Sequence, residues 1–287
     1  MTILGTGLSG LVGSRVVELL SPAISFQDVS FATGVDITHK EDVDRLIDAS
    51  DASWVLHFAA KTDVDGTENE RSLGEKGSAW IVNVTATKYI VDACRRTQKR
   101  LLYISTDYVF DGTKELYSEE DMPNPQGWYA TTKYEGEKLV ATLEDYAVIM
   151  RIANPYRATF EAKLDFVRKI IERLGNHHMV KAPSDQLFVP TFIDDIASAI
   201  KRLVDTNASG IYHVVGNDAV SPYIGAQKIA AVFGLDASHV RPTTFALYFA
   251  GRAPRPYRAV LKNDKIAKLG VRMSTLEEGL TRLRGQL

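Results

Sequence analysis

Tyr129 and Lys133 open a helical stretch that reads Tyr-Ala-Thr-Thr-Lys. Spacing of four places both side chains on one helix face. A phenol with its ordinary pKa near ~10 is a poor acid–base catalyst at neutral pH. An ammonium one turn away is expected to favour the phenolate and lower that value. The pair can then give a proton to a carbonyl oxygen or take one from an alcohol. Earlier in the chain, Arg100–Ser105 reads as a buried strand, followed by Thr106. Ligands of open α/β sheets bind outside the carboxyl ends of strands. Ser105 and Thr106 therefore bring hydroxyls to the same edge, where they can orient a reacting oxygen. Either hydroxyl alone is ordinary strand-end capping; all four residues together point to proton transfer at an oxygen.

The second chemical signal is glycine. Residues 3–13 read Ile-Leu-Gly-Thr-Gly-Leu-Ser-Gly-Leu-Val-Gly. Gly5, Gly7 and Gly10 give G-x-G-x-x-G, and Thr6, Gly7, Gly10 and Gly13 give T-G-x-x-G-x-x-G. Both patterns serve a tight strand-to-helix turn, close approach of backbone to a pyrophosphate, and close helix–strand packing. The turn follows a strand and opens a helix, the context in which the motif binds a dinucleotide. Its N–H groups, from Gly7 and Ser9 through Gly10, Leu11 and Val12, would hold phosphates with help from the helix dipole. An acidic residue at the end of the second strand binds a ribose hydroxyl, and an arginine there favours a 2′-phosphate. That strand end, Ala32-Thr33-Gly34, carries neither, so the cofactor is NAD or NADP. Asp36 follows, either beside the adenine or as a first-turn residue of the next helix.

The elements that must position these residues alternate. Thr2–Leu4, Val29–Ala32, Trp54–Phe58, Arg100–Ser105, Ala147–Ile152 and Gly210–Val215 read as strands. Leu8–Leu20 with Pro22 just past its end, Lys40–Ala49, Ser78–Arg96 and Tyr129–Leu143 read as helices, as do Phe160–Leu174 closed by Gly175, Ile193–Val204, Tyr223–Phe233 and Thr275–Arg284. Buried strands alternating with helices predict an α/β fold, a Rossmann-type doubly wound parallel sheet, with a smaller C-terminal α/β substrate lobe. The expected division is 1–152 for the NAD(P)-binding domain, with 190–216 returning to it, and 153–189 with 217–287 for the substrate lobe.

Composition narrows the class. A net charge of −2 and a pI near 6.3 carry no nucleic-acid footprint. No apolar run is long enough to span a membrane. The lone Cys94 lies in an apolar helical stretch and reads as a small buried hydrophobe. With no disulfide framework and no basic leader, a cytoplasmic protein is expected. His177-His178 lacks partners at ligand spacing and reads as a polar turn, so no metal is expected. The acidic run Glu115–Asp121 reads as a solvated loop.

At this point the chain resembles the extended short-chain dehydrogenase/reductases, and within them the dTDP-4-dehydrorhamnose reductase family. The resemblance rests on Thr6–Gly13, Asp36-Ile37-Thr38, His57-Phe58-Ala59-Ala60 with Thr62, Val64 and Asp65, and Val82-Asn83-Val84. It continues through Ile104–Gly112, Tyr129–Lys133 with Gly136-Glu137, Asp185-Gln186, Pro190-Thr191 and Arg255-Pro256. It implies an oxidoreductase that reduces the C4 ketone of a deoxyhexose carried on a nucleotide diphosphate, for polysaccharide synthesis. Nicotinamide would deliver hydride, Tyr129 would protonate the oxygen, Lys133 would tune Tyr129 and hold the nicotinamide ribose, and Thr106 would bind the substrate oxygen. Asp36, Ile37, Phe58, Ala59, Ala60, Lys61, Asn83 and Ser105 would line the cofactor. Asp107, Tyr108, Trp128, Asn154 and Arg255 would face the substrate, with Arg252, Arg255 and Arg258 available for its diphosphate. Sister dehydratases carry Thr-Asp-Glu where this chain has Thr106-Asp107-Tyr108, which argues against water elimination. Leu187, Phe188 and Val189 replace smaller family residues, Lys61 replaces a frequent aromatic, and Gln126-Gly127-Trp128 and Asn154-Pro155-Tyr156 also depart from the pattern. Relatives imply a homodimer through Ser78–Arg96 and Tyr129–Leu143. The alternatives are a non-catalytic NAD(P)-binding regulatory subunit, like the β subunit of methionine adenosyltransferase, and an NAD-dependent sugar-nucleotide epimerase.

Overall fold

The computed structural model describes residues 1–21 and 23–287; Pro22, expected just past the first helix, lies outside the described residues. In chain order the elements are β1 (Thr2–Thr6), α1 (Leu11–Leu20), β2 (Ser25–Val29), α2 (Lys40–Ala49), β3 (Trp54–His57) and α3 (Val64–Asn69). Next come α4 (Ser78–Trp80), a π turn (Ile81–Thr85), α5 (Ala86–Thr97), β4 (Arg100–Thr106), α6 (Trp128–Ala141) and β5 (Ala147–Ile152). The remainder is β6 (Pro155–Tyr156), α7 (Phe166–Gly175), β7 (Val180–Pro183), β8 (Thr191–Phe192), α8 (Ile193–Asp205) and β9 (Gly210–His213). It closes with α9 (Pro222–Phe233), β10 (Val240–Thr243), α10 (Phe245–Tyr248), α11 (Asp264–Lys268) and α12 (Leu276–Arg284).

Six parallel strands form one sheet in the order β2-β1-β3-β4-β5-β9. Successive residues of each strand point to opposite faces. Ile3, Trp54, Leu56 and Leu102 pack under α1 and α8, and Leu4, Val55, Leu101 and Tyr103 pack under α2, α5 and α6. Burial on both faces explains why the central strands read as unbroken apolar runs. The order reverses between β1 and β3, which opens a crevice at their carboxyl ends. A second apolar core, with Tyr156, Phe188, Phe192, Ile229 and Leu280, joins α7, α9 and α12. Beside it β7 and β10 form a two-stranded parallel pair.

Three expected boundaries are corrected. The second strand is Ser25–Val29, not Val29–Ala32. It is the sheet edge and alternates exposed with covered residues, so it lacks a continuous apolar run. The helix expected over Ser78–Arg96 is interrupted by the π turn. The helix expected from Phe160 begins at Phe166, because the Asp165 carboxylate caps it by accepting from the Arg168 N–H. The acidic 115–121 run is also more ordered than a solvated loop: Tyr117 is buried, stacks on Phe110 and donates its hydroxyl to Asp111 at 2.6 Å.

Candidate active site

The glycine turn meets the switch point. Gly7 has φ +66° and lies so near Ala59 at the end of β3 that a Cβ would stand 2.5 Å from the Ala59 nitrogen. Gly13 presses α1 onto the Gly7 carbonyl and Leu8, with no room for a side chain. Gly10 caps α1 without any side-chain hydrogen bond, and no acidic residue stands in the first turn. The first-turn N–H groups are thus left for an anion. Gly5 lies inside β1 against Leu8, so the turn is built by Gly7, Gly10 and Gly13. This cradle fits a dinucleotide pyrophosphate.

The catalytic candidates come together at the carboxyl end of β4. Ser105 is buried, and its hydroxyl oxygen has no hydrogen-bond partner. The Thr106 hydroxyl contacts Asp107 at 3.1 Å and accepts from the Tyr108 N–H at 3.2 Å. Tyr129 lies on the first turn of α6, beside Thr106, with its ring 6.0 Å from that of Tyr108 in an edge-on arrangement. Burial pushes the Tyr129 phenol well above its usual value, Thr106 pulls it back, and Asp107 raises it further.

Lys133 follows one turn on and is buried; desolvation lowers it to about 7, against the pull of Glu137. Its ammonium lies 4.0 Å from the centre of the Tyr103 ring. The expectation that Lys133 lowers the Tyr129 pKa is corrected: burial, Thr106, Asp107 and Tyr108 set the direction for the phenol, with a net upward shift, and Lys133 is not among them. Glu137 is in turn locked to buried Arg151 at 2.7 Å and 2.9 Å. Tyr129, Lys133 and Glu137 form one ladder along α6.

The remaining expected residues divide. Asn83, on the π turn, accepts from the Lys61 N–H at 2.8 Å and donates to the Lys61 carbonyl and to Thr132. It ties the end of the β3 segment to α6. The Lys61 side chain turns aside to Glu70 at 2.6 Å. Phe58 packs near Gly13. The Asp36 carboxylate accepts from the backbone and hydroxyl of Thr38, ahead of α2, and Ile37 is in the core. Trp128 stacks on Trp80, and its buried indole N–H has no partner. Arg255 pairs with Asp65 at 2.9 Å and lies against Tyr108.

A cavity of about 880 Å³ begins at Asp107, Tyr108 and Asn154. It runs between α7, β7 and the segment after α10, past Gln186, Leu187 and Phe188. Asp107 is buried, one carboxylate oxygen has no partner, and desolvation raises it to about 7. Phe188 is mostly core, meeting Phe166 edge-on at 5.2 Å. Sequence reasoning missed Asp65 as the partner of Arg255, and Lys169, Arg173, Lys181, Tyr248 and Phe249 on the cavity wall. The one available signal was Lys169 and Arg173 four apart on a helix. Among the described residues no cluster of His, Cys, Asp and Glu could hold a metal, and no helix is long and apolar enough to cross a membrane.

Comparison with known proteins gives one family over the chain: the RmlD substrate binding domain matches residues 1–286. A probable low-salt glycan biosynthesis reductase of Haloferax volcanii is 32% identical over 97% of this chain and 95% of its own. A methionine adenosyltransferase 2 subunit beta of Mus musculus is 30% identical over 95% and 84%. The solved dTDP-4-dehydrorhamnose reductase of Bacillus anthracis, in complex with NADP, superposes with a TM-score of 0.89 at 28% identity, covering 100% of this chain and 99% of that one.

Proposed function

The chain belongs to the RmlD substrate-binding family, and on that footing we propose that it is an NAD(P)-dependent oxidoreductase reducing the C4 ketone of a nucleotide-linked 4-keto-6-deoxy sugar. The carrying observation is the meeting of Thr106 and Tyr129, with Lys133 one turn away, at the end of β4, next to the cavity's Asp107–Tyr108 end. When bound, a reduced nicotinamide supplies the hydride. Gly7, Ser9, Gly10, Leu11 and Val12 hold its pyrophosphate, and Asp36 and Ile37 its adenosine side. Phe58, Ala59, Ala60, Lys61, Asn83, Ser105 and Lys133 line the nicotinamide side. Thr106 orients the ketone oxygen, and Tyr129 gives that oxygen its proton. A phenol held protonated by burial suits an acid in this direction. Asp107, Tyr108, Trp128 and Asn154 face the sugar, and Arg255 steadies Tyr108.

The proposed setting is the cytoplasm, in polysaccharide synthesis, as a homodimer through α4, α5 and α6; sedimentation as a single monomeric species would exclude that pairing. The test of the reaction is transfer from NADH or NADPH carrying deuterium at the transferred position to a panel of such sugars. Deuterium at C4 of the sugar, with net oxidation of the cofactor, is expected. Cofactor recovered unchanged with the sugar epimerised would identify an epimerase.

The likeness to a methionine adenosyltransferase subunit supports a second reading, a cofactor-binding partner subunit. Tight NAD(P) binding without turnover on any sugar, and a copurifying enzyme, would favour it.

A further inference from the structure

Asp107 holds a titratable proton that the reaction above does not use. The residue is almost wholly buried and lines the end of the cavity that meets Thr106 and Tyr129. Its Oδ2 has no hydrogen-bond partner, and its Oδ1 lies 3.1 Å from the Thr106 hydroxyl. That hydroxyl also accepts from the Tyr108 N–H at 3.2 Å and stands beside the Tyr129 phenol. The charged groups around Asp107 are engaged elsewhere. From the segment after α10, Arg255 is paired with Asp65 and lies against Tyr108. From α6 come the Tyr129 phenol and, one turn on, Lys133, whose ammonium sits over the Tyr103 ring. Lys169, Arg173 and Lys181 stand on the α7 and β7 walls of the cavity. Burial raises the Asp107 carboxyl to about 7, against the bonds from Thr106 and the backbone.

A hydroxyl has one proton to donate and two lone pairs that accept. At Thr106 the Tyr108 N–H occupies one lone pair. One proton and one lone pair are left, to be divided between Asp107 and the reacting oxygen. A carboxylate can only accept. An ionised Asp107 therefore draws the Thr106 proton to itself and turns a lone pair towards the ketone oxygen, which is itself an acceptor. A protonated Asp107 donates to that lone pair instead. The Thr106 proton is then free for the ketone oxygen, where negative charge develops as hydride arrives. We propose that Asp107 is a positioning residue whose proton sets the direction of the Thr106 hydroxyl, aiming it at the ketone oxygen when Asp107 is protonated and away from it when Asp107 is ionised. The assignment rests on the ketone-reduction reading above. Asp107 gives no proton to the sugar in this scheme; Tyr129 remains the donor. The rate of reduction falls as pH rises through the Asp107 titration, because the ionised form misdirects Thr106.

The experiment follows single-turnover oxidation of NADH or NADPH with a nucleotide-linked 4-keto-6-deoxy sugar at pH 6 and pH 9. The wild type is compared with Asp107→Asn and Thr106→Val, and the readout is the ratio of the two rates within each protein. The wild-type rate should fall by roughly tenfold or more between the two conditions. An asparagine amide can donate to Thr106 at both, so Asp107→Asn should lose most of that fall. Thr106→Val should be slow at both and lose it as well. Lys133 titrates in the same range and is present in every protein. A fall that persists unchanged in Asp107→Asn therefore belongs to another group and would overturn the proposal. So would a fall lost in Asp107→Asn but kept in Thr106→Val, since Asp107 would then act without Thr106. Infrared difference spectra of the cofactor-bound protein between pH 6 and pH 9 need no turnover. They should show a carboxylic acid C=O band that Asp107→Asn lacks, and its absence from the wild type would also overturn the proposal while leaving the reductase reading intact. A wild type that binds cofactor and reduces no such sugar would overturn both.

Discussion

Lys133 shows how burial, more than spacing, decides the protonation of a candidate catalytic group. Its folded pKa is near 7, against an ordinary value of 10.5. Between those values the native chain binds fewer protons than the unfolded chain, so stability rises with pH across that window. Below about 7 the full cost of the buried charge stands. Lys133→Met is therefore expected to melt higher than the wild type at pH 6, by about 2–4 °C for each kcal/mol relieved. The margin should shrink as pH rises towards 10. A margin independent of pH would show that the ammonium is not desolvated. The Tyr-x-x-x-Lys spacing was legible in the sequence, and so was the hydroxyl at the strand end. The direction of the tyrosine shift was not, because it depends on how deeply Tyr129 sits among Thr106, Asp107 and Tyr108.

Elements carry these residues to one edge, and here the glycine turn is the controlling piece. Gly7→Ala adds a Cβ against backbone at a φ of +66°, a strain on the order of 1–3 kcal/mol. Gly10→Ala meets only the Gly7 carbonyl, at 3.2 Å. Thermal melts should show a clear loss for the first and little for the second, and similar melting points for both would contradict the geometry. The strong 3.6-residue pattern of Lys40–Ala49 and the buried run Ala147–Ile152 were readable to the residue. The edge strand β2 was not, since its outer face is solvated. Nor was the π turn, whose role of presenting Asn83 to Lys61 and Thr132 has no local sequence signature. Lys169 and Arg173 escaped notice because an exposed basic pair on an amphipathic helix ordinarily faces solvent; only the packing of β7 and the segment after α10 against α7 makes that face a cavity wall.

Across the whole molecule, α1, which follows the glycine turn, is tied to later parts of the chain. Arg15 on α1 makes a two-pronged bond to Asp194 on α8, at 2.7 Å and 2.8 Å. Arg157, after β6, donates to Ser14 and pairs with Glu18 on the same helix. Asp195 holds Arg282 of α12 and accepts from the Ser274 N–H. Burial raises the Asp194 carboxyl, but the hydrogen bonds from Arg15 and Gln286 and the charges of Arg15 and Arg282 together outweigh it and hold the group below its usual range. Its contribution to stability stands above the ordinary carboxylate pKa and is lost as pH falls through its lowered folded value. Asp194→Ala should cost about 1–3 kcal/mol at pH 7, with the difference in unfolding free energy fading in acid. An undiminished difference at pH 2 would mean that packing, not the ion pair, is at stake.

In the proposed reaction Tyr129 protonates a sugar ketone under hydride transfer. Its most direct measurement is single-turnover oxidation of NADH or NADPH by the wild type and by Tyr129→Phe, with a nucleotide-linked 4-keto-6-deoxy sugar and with cofactor affinity measured in parallel. Turnover is expected in the wild type, with a loss of roughly 10²–10⁴-fold in the variant and cofactor binding unchanged. Equal rates in the two proteins would contradict it.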